Sequence, residues 1–226
     1  MGRFRLTMTA RNEMTQRRSA REHILDTAYE LFTQRGIRAV GVDEVIARSG
    51  VAKATLYKHF RSKNELAMAF LERREQRWSR AFIEAGSARR AADPEGQLLA
   101  VFDMLDEWYR RRDSFKECSF MSVLLEMGSD HPVGQACVRH LANLRAMMAS
   151  RAAAAGLVEP EQFALSFHIL MEGSIISASE GDRRAALRAQ EMARVLIENH
   201  RPYVKVRTAR SPDRRTSAGR DSAASP

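Results

Sequence analysis

Between residues 41 and 60, apolar side chains recur at helical spacing on both sides of a glycine. The first set covers one face of a short helix that begins near Asp43, and its members are Val42, Val45, Ile46 and Ser49. Gly50 can adopt a positive φ, so it ends this helix and allows the chain to turn sharply. A second short helix follows from Lys53 to His59, with Leu56 and Phe60 facing inward. The pattern therefore predicts two short helices joined by a tight turn.

The outward face of the second helix carries hydrogen-bond donors, positive charge and an aromatic ring. Its residues are Lys53, Thr55, Tyr57, Lys58 and His59. Such a face suits a negatively charged groove, and two short helices joined by a three-residue turn form a DNA-reading unit. Many αα-hairpins share this pattern, so the helix-turn-helix prediction depends on what flanks it.

Both flanks strengthen the prediction. Upstream, residues 24–32 form an amphipathic helix followed by Gly36, with an inward face of Ile24, Ala28, Leu31 and Phe32. Downstream, Ser62 and Glu65 match a capping box that opens another helix. The run ILDTAYELFTQRGIRAVGVDEVIARSGVAKATLYKHFRSKNEL resembles the DNA-binding domain of the TetR family of bacterial transcriptional regulators. The motifs that carry the resemblance are A-x-x-L-F, G-[IV]-x-x-x-x-V-D-E-[VI], S-G-V, T-L-Y-x-H-F and S-K-x-E-L.

The resemblance implies a role for each outward residue. Lys53, Thr55 and Lys58 would face base edges or nearby phosphates, whereas Tyr57 and His59 would donate to the phosphate backbone. Lys63, at the start of the fourth helix, would contact another phosphate. The alternative for each is a solvated surface side chain, and the sequence does not separate base reading from phosphate anchoring.

Two positions depart from the family pattern. Gly41 stands where the second helix usually has a hydroxyl-bearing N-cap, and Ala52 stands where a serine usually opens the recognition helix. Alanine at an N-cap costs about 1 kcal/mol relative to serine. Both departures also remove hydroxyl groups that could touch phosphate, so the expected contacts move to the six residues above.

Positive charge is concentrated at the two ends of the chain. The formal net charge is +9, but residues 1–21 and 201–226 carry +5 each, which leaves −1 for residues 22–200. We predict that residues 1–18 form a basic flexible arm that follows phosphates or enters the minor groove, with Met8 and Met14 as alternative starts. Residues 201–226 are predicted to be a disordered basic tail. The alternative for both is a non-specific electrostatic anchor.

The rest of the chain is helical in pattern, with no convincing strand. Glycine and proline divide it into six further predicted helices, over residues 62–85 before Gly86, 93–112, 118–127, 132–156, 159–181 and 183–200. We therefore predict an all-α protein of about nine helices. The helix-turn-helix domain would occupy residues 19–65, and an effector-binding and dimerisation domain would occupy residues 66–200. No run approaches the ~20 apolar residues of a membrane span, which predicts a cytoplasmic protein.

The last two helices combine apolar with small side chains, a pattern that permits close helix packing. The candidate dimer residues are Ser166, Leu170, Gly173, Ser174, Ser177, Ala189, Met192 and Leu196. Intramolecular core is the alternative, because ordinary bundles contain the same stripes. The resemblance implies a four-helix dimer bundle, and a two-fold DNA-binding protein requires a palindromic site.

The middle helices carry a candidate effector pocket, which the resemblance implies. Its predicted lining is Phe102, Leu105, Trp108, Tyr109, Phe120, Met121, Leu124, Phe167, His168 and Met171. Aromatic and methionine side chains suit a hydrophobic ligand, although the same stripe can be ordinary core. His168 and Glu172 are too few to indicate a metal site. Cys118 near a helix start is either an electrophile sensor or a structural cysteine, and with Cys137 it has no zinc-binding spacing.

The sequence thus predicts a homodimeric regulator that binds double-stranded DNA. Its favoured mode is a repressor released from a palindromic operator by a hydrophobic small molecule, without a cofactor. One alternative is a protein that coats DNA independently of sequence through its basic tails. An enzyme is the least favoured alternative, because no G-x-G-x-x-G, P-loop, H-E-x-x-H or G-x-S-x-G motif occurs.

Overall fold

The structure, a computed structural model, describes residues 19–111 and 120–202. Within these ranges the regular structure is entirely helical and amounts to nine helices, which confirms the all-α prediction. The predicted arm at residues 1–18, Cys118 and residues 203–226 of the predicted tail lie outside the described residues. No helix in the described ranges is both long enough and apolar enough to cross a membrane.

The first three helices are α1 (Ala20–Arg35), α2 (Val42–Ser49) and α3 (Lys53–His59). The bounds of α3 are the predicted ones. Gly50, between α2 and α3, has φ of 67°, a left-handed conformation that glycine adopts without strain. Ser19 caps α1 by accepting a hydrogen bond from the backbone N–H of Glu22 at 3.2 Å.

Helix α4 is continuous through three stretches, Lys63–Arg74, the π-helical Glu75–Glu84, and Ala85–Arg90. Its start is the predicted cap, where the Ser62 hydroxyl accepts from the backbone N–H of Glu65 at 3.1 Å. The predicted end at Gly86 is wrong, because the helix runs on to Arg90. A Cβ at the buried Gly86 would lie 2.4 Å from Cε of Met104, so this glycine permits a close helix approach rather than ending the helix.

Five more helices complete the chain: α5 (Pro94–Arg110), α6 (Phe120–Met127), α7 (Pro132–Ala154), α8 (Pro160–Ser179) and α9 (Ala185–Asn199). Proline occupies the first turn of α5, α7 and α8, where its missing N–H costs nothing. Asp93 caps α5 by accepting from the backbone N–H of Gly96 at 2.7 Å. The predicted order of helices is therefore confirmed, with each observed end within a few residues of its prediction except that of α4.

Helix α4 contributes to the packing at both ends of the molecule. Near its start, Phe70 packs edge-on against Phe32 of α1, with ring centroids 5.5 Å apart. Arg73 pairs with Glu22 and Asp26 of α1, which fixes the two helices further. Near its middle, Trp78 packs against Trp108 of α5, with centroids 4.8 Å apart. The same helix is thus part of the N-terminal helices and of the larger helical body.

The buried side of α8 carries an imidazole and a carboxyl side chain. Nε2 of His168 lies 3.5 Å from Oε1 of Glu172. Burial, with a smaller contribution from Arg145, lowers the pKa of His168 to about 4. Burial also raises the pKa of Glu172, an effect that Arg74 partly offsets. The imidazole is therefore neutral near pH 7.

His168 makes the stability of the folded chain depend on pH. Unfolded histidine takes up a proton near pH 6.5, whereas the folded chain resists it down to about pH 4, so stability falls as pH decreases through this window. We compare the free energies of unfolding of wild type and His168→Gln. The value of wild type minus that of the variant should fall by about 3 kcal/mol between pH 7 and pH 4. The raised pKa of Glu172 acts in the opposite direction, because a carboxyl that binds its proton more readily in the folded chain adds stability as the pH falls. Urea unfolding across this range measures the difference, and a constant difference would contradict the prediction.

The first turn of α7, at Gly134, packs closely against the backbone of the preceding turn at Gly128. A Cβ at Gly134 would lie 1.8 Å from the carbonyl oxygen of Gly128, which is backbone and cannot rotate away. We expect Gly134→Ala to lower the free energy of unfolding by about 3 kcal/mol through overpacking. The neighbouring residue Gln135 is exposed and provides the control. Gln135→Ala should change the free energy of unfolding by less than about 0.5 kcal/mol. Urea denaturation measures the free energy of unfolding of both variants. Equal losses in Gly134→Ala and Gln135→Ala would contradict the packing argument.

Candidate nucleic-acid interface

The inner side of the helix-turn-helix is fixed by apolar burial. Leu56 and Phe60, the residues predicted to face inward, are each 1% exposed. A ring nitrogen of His23 in α1 lies 3.0 Å from the carbonyl oxygen of Ser49, so α1 also contacts the end of α2. The guanidinium of Arg21 lies 5.2 Å from the ring centroid of Phe60. These contacts hold α3 with one face against α1 and α2 and leave its other face outward.

The outward face of α3 carries the predicted DNA-contacting side chains. Lys53, Tyr57 and Lys58 are exposed, whereas Thr55 and His59 are half-buried. Tyr57 is 41% exposed. Nζ of Lys53 lies 3.5 Å from Oδ1 of Asp43, but both side chains are mostly exposed and such a pair is weak. The lysine is therefore available to a phosphate.

Lys63, the sixth predicted contact residue, lies at the first position of α4 and is half-buried. Its ammonium group donates to the carbonyl oxygen of Arg38 at 3.3 Å. This bond places Lys63 beside the connection between α1 and α2. The ammonium has three donors, so two remain for other acceptors.

Neither α2 nor α3 has a side-chain cap at its N-terminus. Gly41 and Ala52 occupy the two cap positions in extended conformation, and neither accepts a hydrogen bond through a side chain. Helices α2 and α3 therefore begin without a side-chain cap, and the expected shift of phosphate contacts to other residues stays a prediction.

Sequence reasoning gave no indication of Glu126, near the end of α6, which contacts the helix-turn-helix. Its carboxylate accepts hydrogen bonds from the backbone N–H groups of Ile37 and Arg38, in the α1–α2 connection. No sequence pattern could have identified this contact, because 88 residues separate Arg38 from Glu126. A lone glutamate near a helix end is otherwise an ordinary surface residue.

The predicted effector residues lie among α5, α6 and α8, in well-packed surroundings. Six of them are buried, namely Phe102, Leu105, Phe120, Phe167, His168 and Met171, and four are half-buried, namely Trp108, Tyr109, Met121 and Leu124. The Phe102 and Phe167 rings lie 5.1 Å apart at their centroids. The Tyr109 hydroxyl lies 2.9 Å from Oγ of Ser174, and burial raises the pKa of Tyr109, so the phenol stays protonated. The pocket remains a prediction.

Two clefts in the described part of the chain border α4, and one of them includes a residue of the predicted pocket. One of about 350 Å³ lies between the π-helical stretch of α4 and α7, lined by Glu75, Ser79, Arg80, Glu84, Asn143, Leu144 and Met147. The other, of about 230 Å³, lies between α4 and α5 and includes Trp108. The first cleft contains none of the predicted pocket residues and is polar where the prediction is apolar.

The predicted dimer residues divide by exposure. Ser174 and Ala189 are buried within the protomer, Gly173 and Met192 are exposed, and Ser166, Leu170, Ser177 and Leu196 are half-buried. The large exposed apolar side chains of these helices include four that sequence reasoning missed, namely Leu165, Ile169, Ile176 and Val195. The spacing of 165, 169 and 176 along one helix face was the signal available for them.

Comparison with known proteins identifies the N-terminal segment. The family profile described as "Bacterial regulatory proteins, tetR family" matches residues 24–70. The transcriptional activator FasR of Mycolicibacterium smegmatis is 44% identical over 63 residues, which is 28% of this chain and 29% of FasR. The transcriptional repressor NemR of Escherichia coli is 42% identical over 53 residues, which is 24% of this chain and 27% of NemR. The chain thus aligns with less than a third of the length of either relative.

The whole fold resembles a solved structure. The TetR-family transcriptional regulator SCO4454 from Streptomyces coelicolor superposes with a TM-score of 0.72 at 24% sequence identity. The alignment covers 81% of this chain and 96% of SCO4454. The sequence match is concentrated in the helix-turn-helix, and the fold match extends through the helical body. The N-terminal helices thus match the profile of the TetR family of regulators, and the described chain shares the fold of a TetR-family transcriptional regulator.

Proposed function

We propose that this protein binds double-stranded DNA through α3 and regulates transcription from a specific site. The observation that carries the proposal is the division of α3 into two faces. Leu56 on one face is buried at 1% exposure, while Lys53, Tyr57 and Lys58 on the other are exposed to solvent. A recognition helix needs this arrangement, because one side must hold its orientation while the other enters the major groove.

The six candidate residues divide between base reading and phosphate anchoring. Lys53, Thr55 and Lys58 contact base edges or adjacent phosphates, and Tyr57, His59 and Lys63 anchor the phosphate backbone. The exposed hydroxyl of Tyr57 and the ammonium of Lys63 support the anchoring role, because both can donate to phosphate oxygens. The predicted basic arm adds a salt-dependent attraction that does not depend on sequence.

The functional unit is a homodimer formed through α8 and α9. Support comes from the exposed apolar side chains on these helices, where Ile169 is 70% exposed, Val195 is 60% exposed and Met192 is 57% exposed. Such a surface in water favours association with a complementary one. A two-fold dimer presents two copies of α3 about 34 to 36 Å apart, or a multiple of that distance, so the operator is palindromic.

Repression relieved by a small apolar effector is the proposed mode of regulation. FasR is named an activator and NemR a repressor, and each is similar to about a quarter of this chain, so the similarity is compatible with either outcome. An effector bound among α5, α6 and α8 would favour a dimer whose two recognition helices no longer match the operator. Operator DNA would then weaken effector binding by the same factor. Because the partner is bacterial DNA, the protein acts in the cytoplasm.

Specific binding can be tested with the DNA that lies upstream of the gene. Wild type should form a discrete complex in a gel shift that survives excess non-specific competitor. Lys58→Ala should weaken the complex about tenfold, because it removes a contact to a base or phosphate. Arg139→Ala, which removes the same charge from the exposed side of α7, is the control and should leave affinity nearly unchanged. If competitor removes the complex at every salt concentration, the protein coats DNA without sequence preference.

The dimer can be tested by placing a charge on the exposed apolar surface. Ile169→Asp should convert the protein to a monomer in light scattering, because burying the new carboxylate in an interface is costly. Val138→Asp is the control, since Val138 is an exposed apolar residue on α7 at 42% exposure. Circular dichroism should show both variants folded. A dimer that persists in Ile169→Asp would contradict the proposed interface.

A further inference from the structure

The α1–α2 connection is held from outside by a single carboxylate. Oε2 of Glu126 accepts from the backbone N–H of Ile37 at 3.0 Å, and Oε1 accepts from that of Arg38 at 2.5 Å. Each oxygen thus takes one of two consecutive amides. Hydrogen bonds to an ionised acceptor are stronger than those between neutral groups. We call this pair of bonds the Glu126 contact.

The chain around Gly36 is shaped to receive this carboxylate. The N–H of Gly36 still bonds to the carbonyl of Phe32 at 2.9 Å, and the next two N–H groups turn towards Glu126. Gly36 has φ of 82°, and a Cβ there would lie 2.9 Å from Oε1 of Glu126. Successive backbone N–H groups in such a turn form a small anion-binding concavity. The left-handed glycine and the absent Cβ both serve the contact.

The Glu126 contact continues towards the candidate DNA-binding surface through one residue. Arg38 donates its N–H to Glu126, and its carbonyl oxygen accepts from Nζ of Lys63 at 3.3 Å. Within the same connection, the carbonyl of Ala39 accepts from Arg35 at 3.3 Å. The peptide that Glu126 holds therefore also orients an ammonium group assigned to phosphate anchoring.

The other end of α6 lies among the predicted effector residues. Phe120, Met121 and Leu124 belong to the same helix, and the Phe120 ring stacks on His140 of α7 with centroids 5.1 Å apart. Eight helical residues span about 12 Å, so a shift of the helix at one end moves the carboxylate at the other. The contact is thus placed between the helical body and the helix-turn-helix.

We propose that Glu126 is a positioning residue for DNA binding, which holds the α1–α2 connection and Lys63 in the arrangement that fits the operator. This inference rests on the proposed DNA-binding function. It predicts that removing the Glu126 carboxylate changes operator affinity in the direction opposite to the one expected from charge alone. Removing a negative charge near a DNA-binding surface should strengthen attraction to phosphates. Loss of the Glu126 contact should instead weaken operator binding.

Amide hydrogen exchange tests the contact without DNA. The amides of Ile37 and Arg38 should be protected in wild type, and Glu126→Ala should speed their exchange at least about tenfold because they lose their acceptor. Glu126→Gln keeps the size of the side chain but offers one acceptor oxygen, so one of the two amides should stay protected. Amides in α8 serve as an internal reference for intact folding. Unchanged exchange of both amides in Glu126→Ala would overturn the inference.

Operator affinity tests the consequence in the full-length protein, with the upstream DNA as probe. Glu126→Ala should bind about tenfold more weakly than wild type, within the range typical of coupling between sites, and Glu126→Gln should be intermediate. Asp130→Ala is the matched control. It removes the same charge four residues away, and Asp130 is exposed and forms no hydrogen bond or ion pair with any described residue. It should bind no more weakly than wild type.

The outcomes separate the two proposals. Affinity of Glu126→Ala that equals or exceeds that of Asp130→Ala would overturn the positioning role. Gly36→Ala should reproduce the loss, because its Cβ would displace the carboxylate and its φ is unfavourable for alanine. Failure of wild type to bind the DNA at all would overturn the proposed function, whereas the exchange measurement would still decide whether the contact exists.

Discussion

The arrangement of the helices in this protein depends on one long helix, α4, which is buried against both α1 and α5. Helix α4 packs Phe70 against Phe32 of α1, and about two turns later it packs Trp78 against Trp108 of α5. Because a helix transmits orientation along its length, the helix-turn-helix cannot rotate relative to the body without disturbing one of these aromatic contacts. The pairing of Arg73 with Asp26 adds a polar constraint on the same side. The orientation of the helix-turn-helix relative to the helical body thus depends on these two contacts of α4.

Polar contacts at the border between the two regions complete this arrangement. The backbone N–H groups that follow α1 need acceptors, and the structure supplies them from α6 through Glu126. The carbonyl of Arg38 is in turn used by Lys63. In contrast, the interior of the body holds the imidazole of His168 neutral through burial. Both arrangements meet the same physical requirement. A polar group that is buried or half-buried must either find a hydrogen-bond partner or lose its charge.

The local parts of the structure were predictable from sequence. The bounds of α3, the left-handed turn at Gly50 and the cap at Ser62 each follow from residues within one or two helical turns, so their patterns are visible in the chain itself. Gly86 shows where this reasoning fails. Glycine marks a helix end in one context and a close helix approach in another, and only the position of Met104 distinguishes the two. The continuation of α4 to Arg90 therefore could not be read from the sequence.

The sequence by itself determined the helical class, the helix-turn-helix, its outward residues and the family resemblance, because these depend on periodicity and on short motifs. Tertiary structure decided which apolar residues stay exposed. Ile169 of α8 and Val195 of α9 are exposed, whereas Ser174 and Ala189 on the same helices are buried. It also brought Glu126 to the end of α1 across 88 residues. Exposure and long-range contact depend on how helices pack against each other, because helical spacing shows which residues share a face but not whether that face is covered within the protomer.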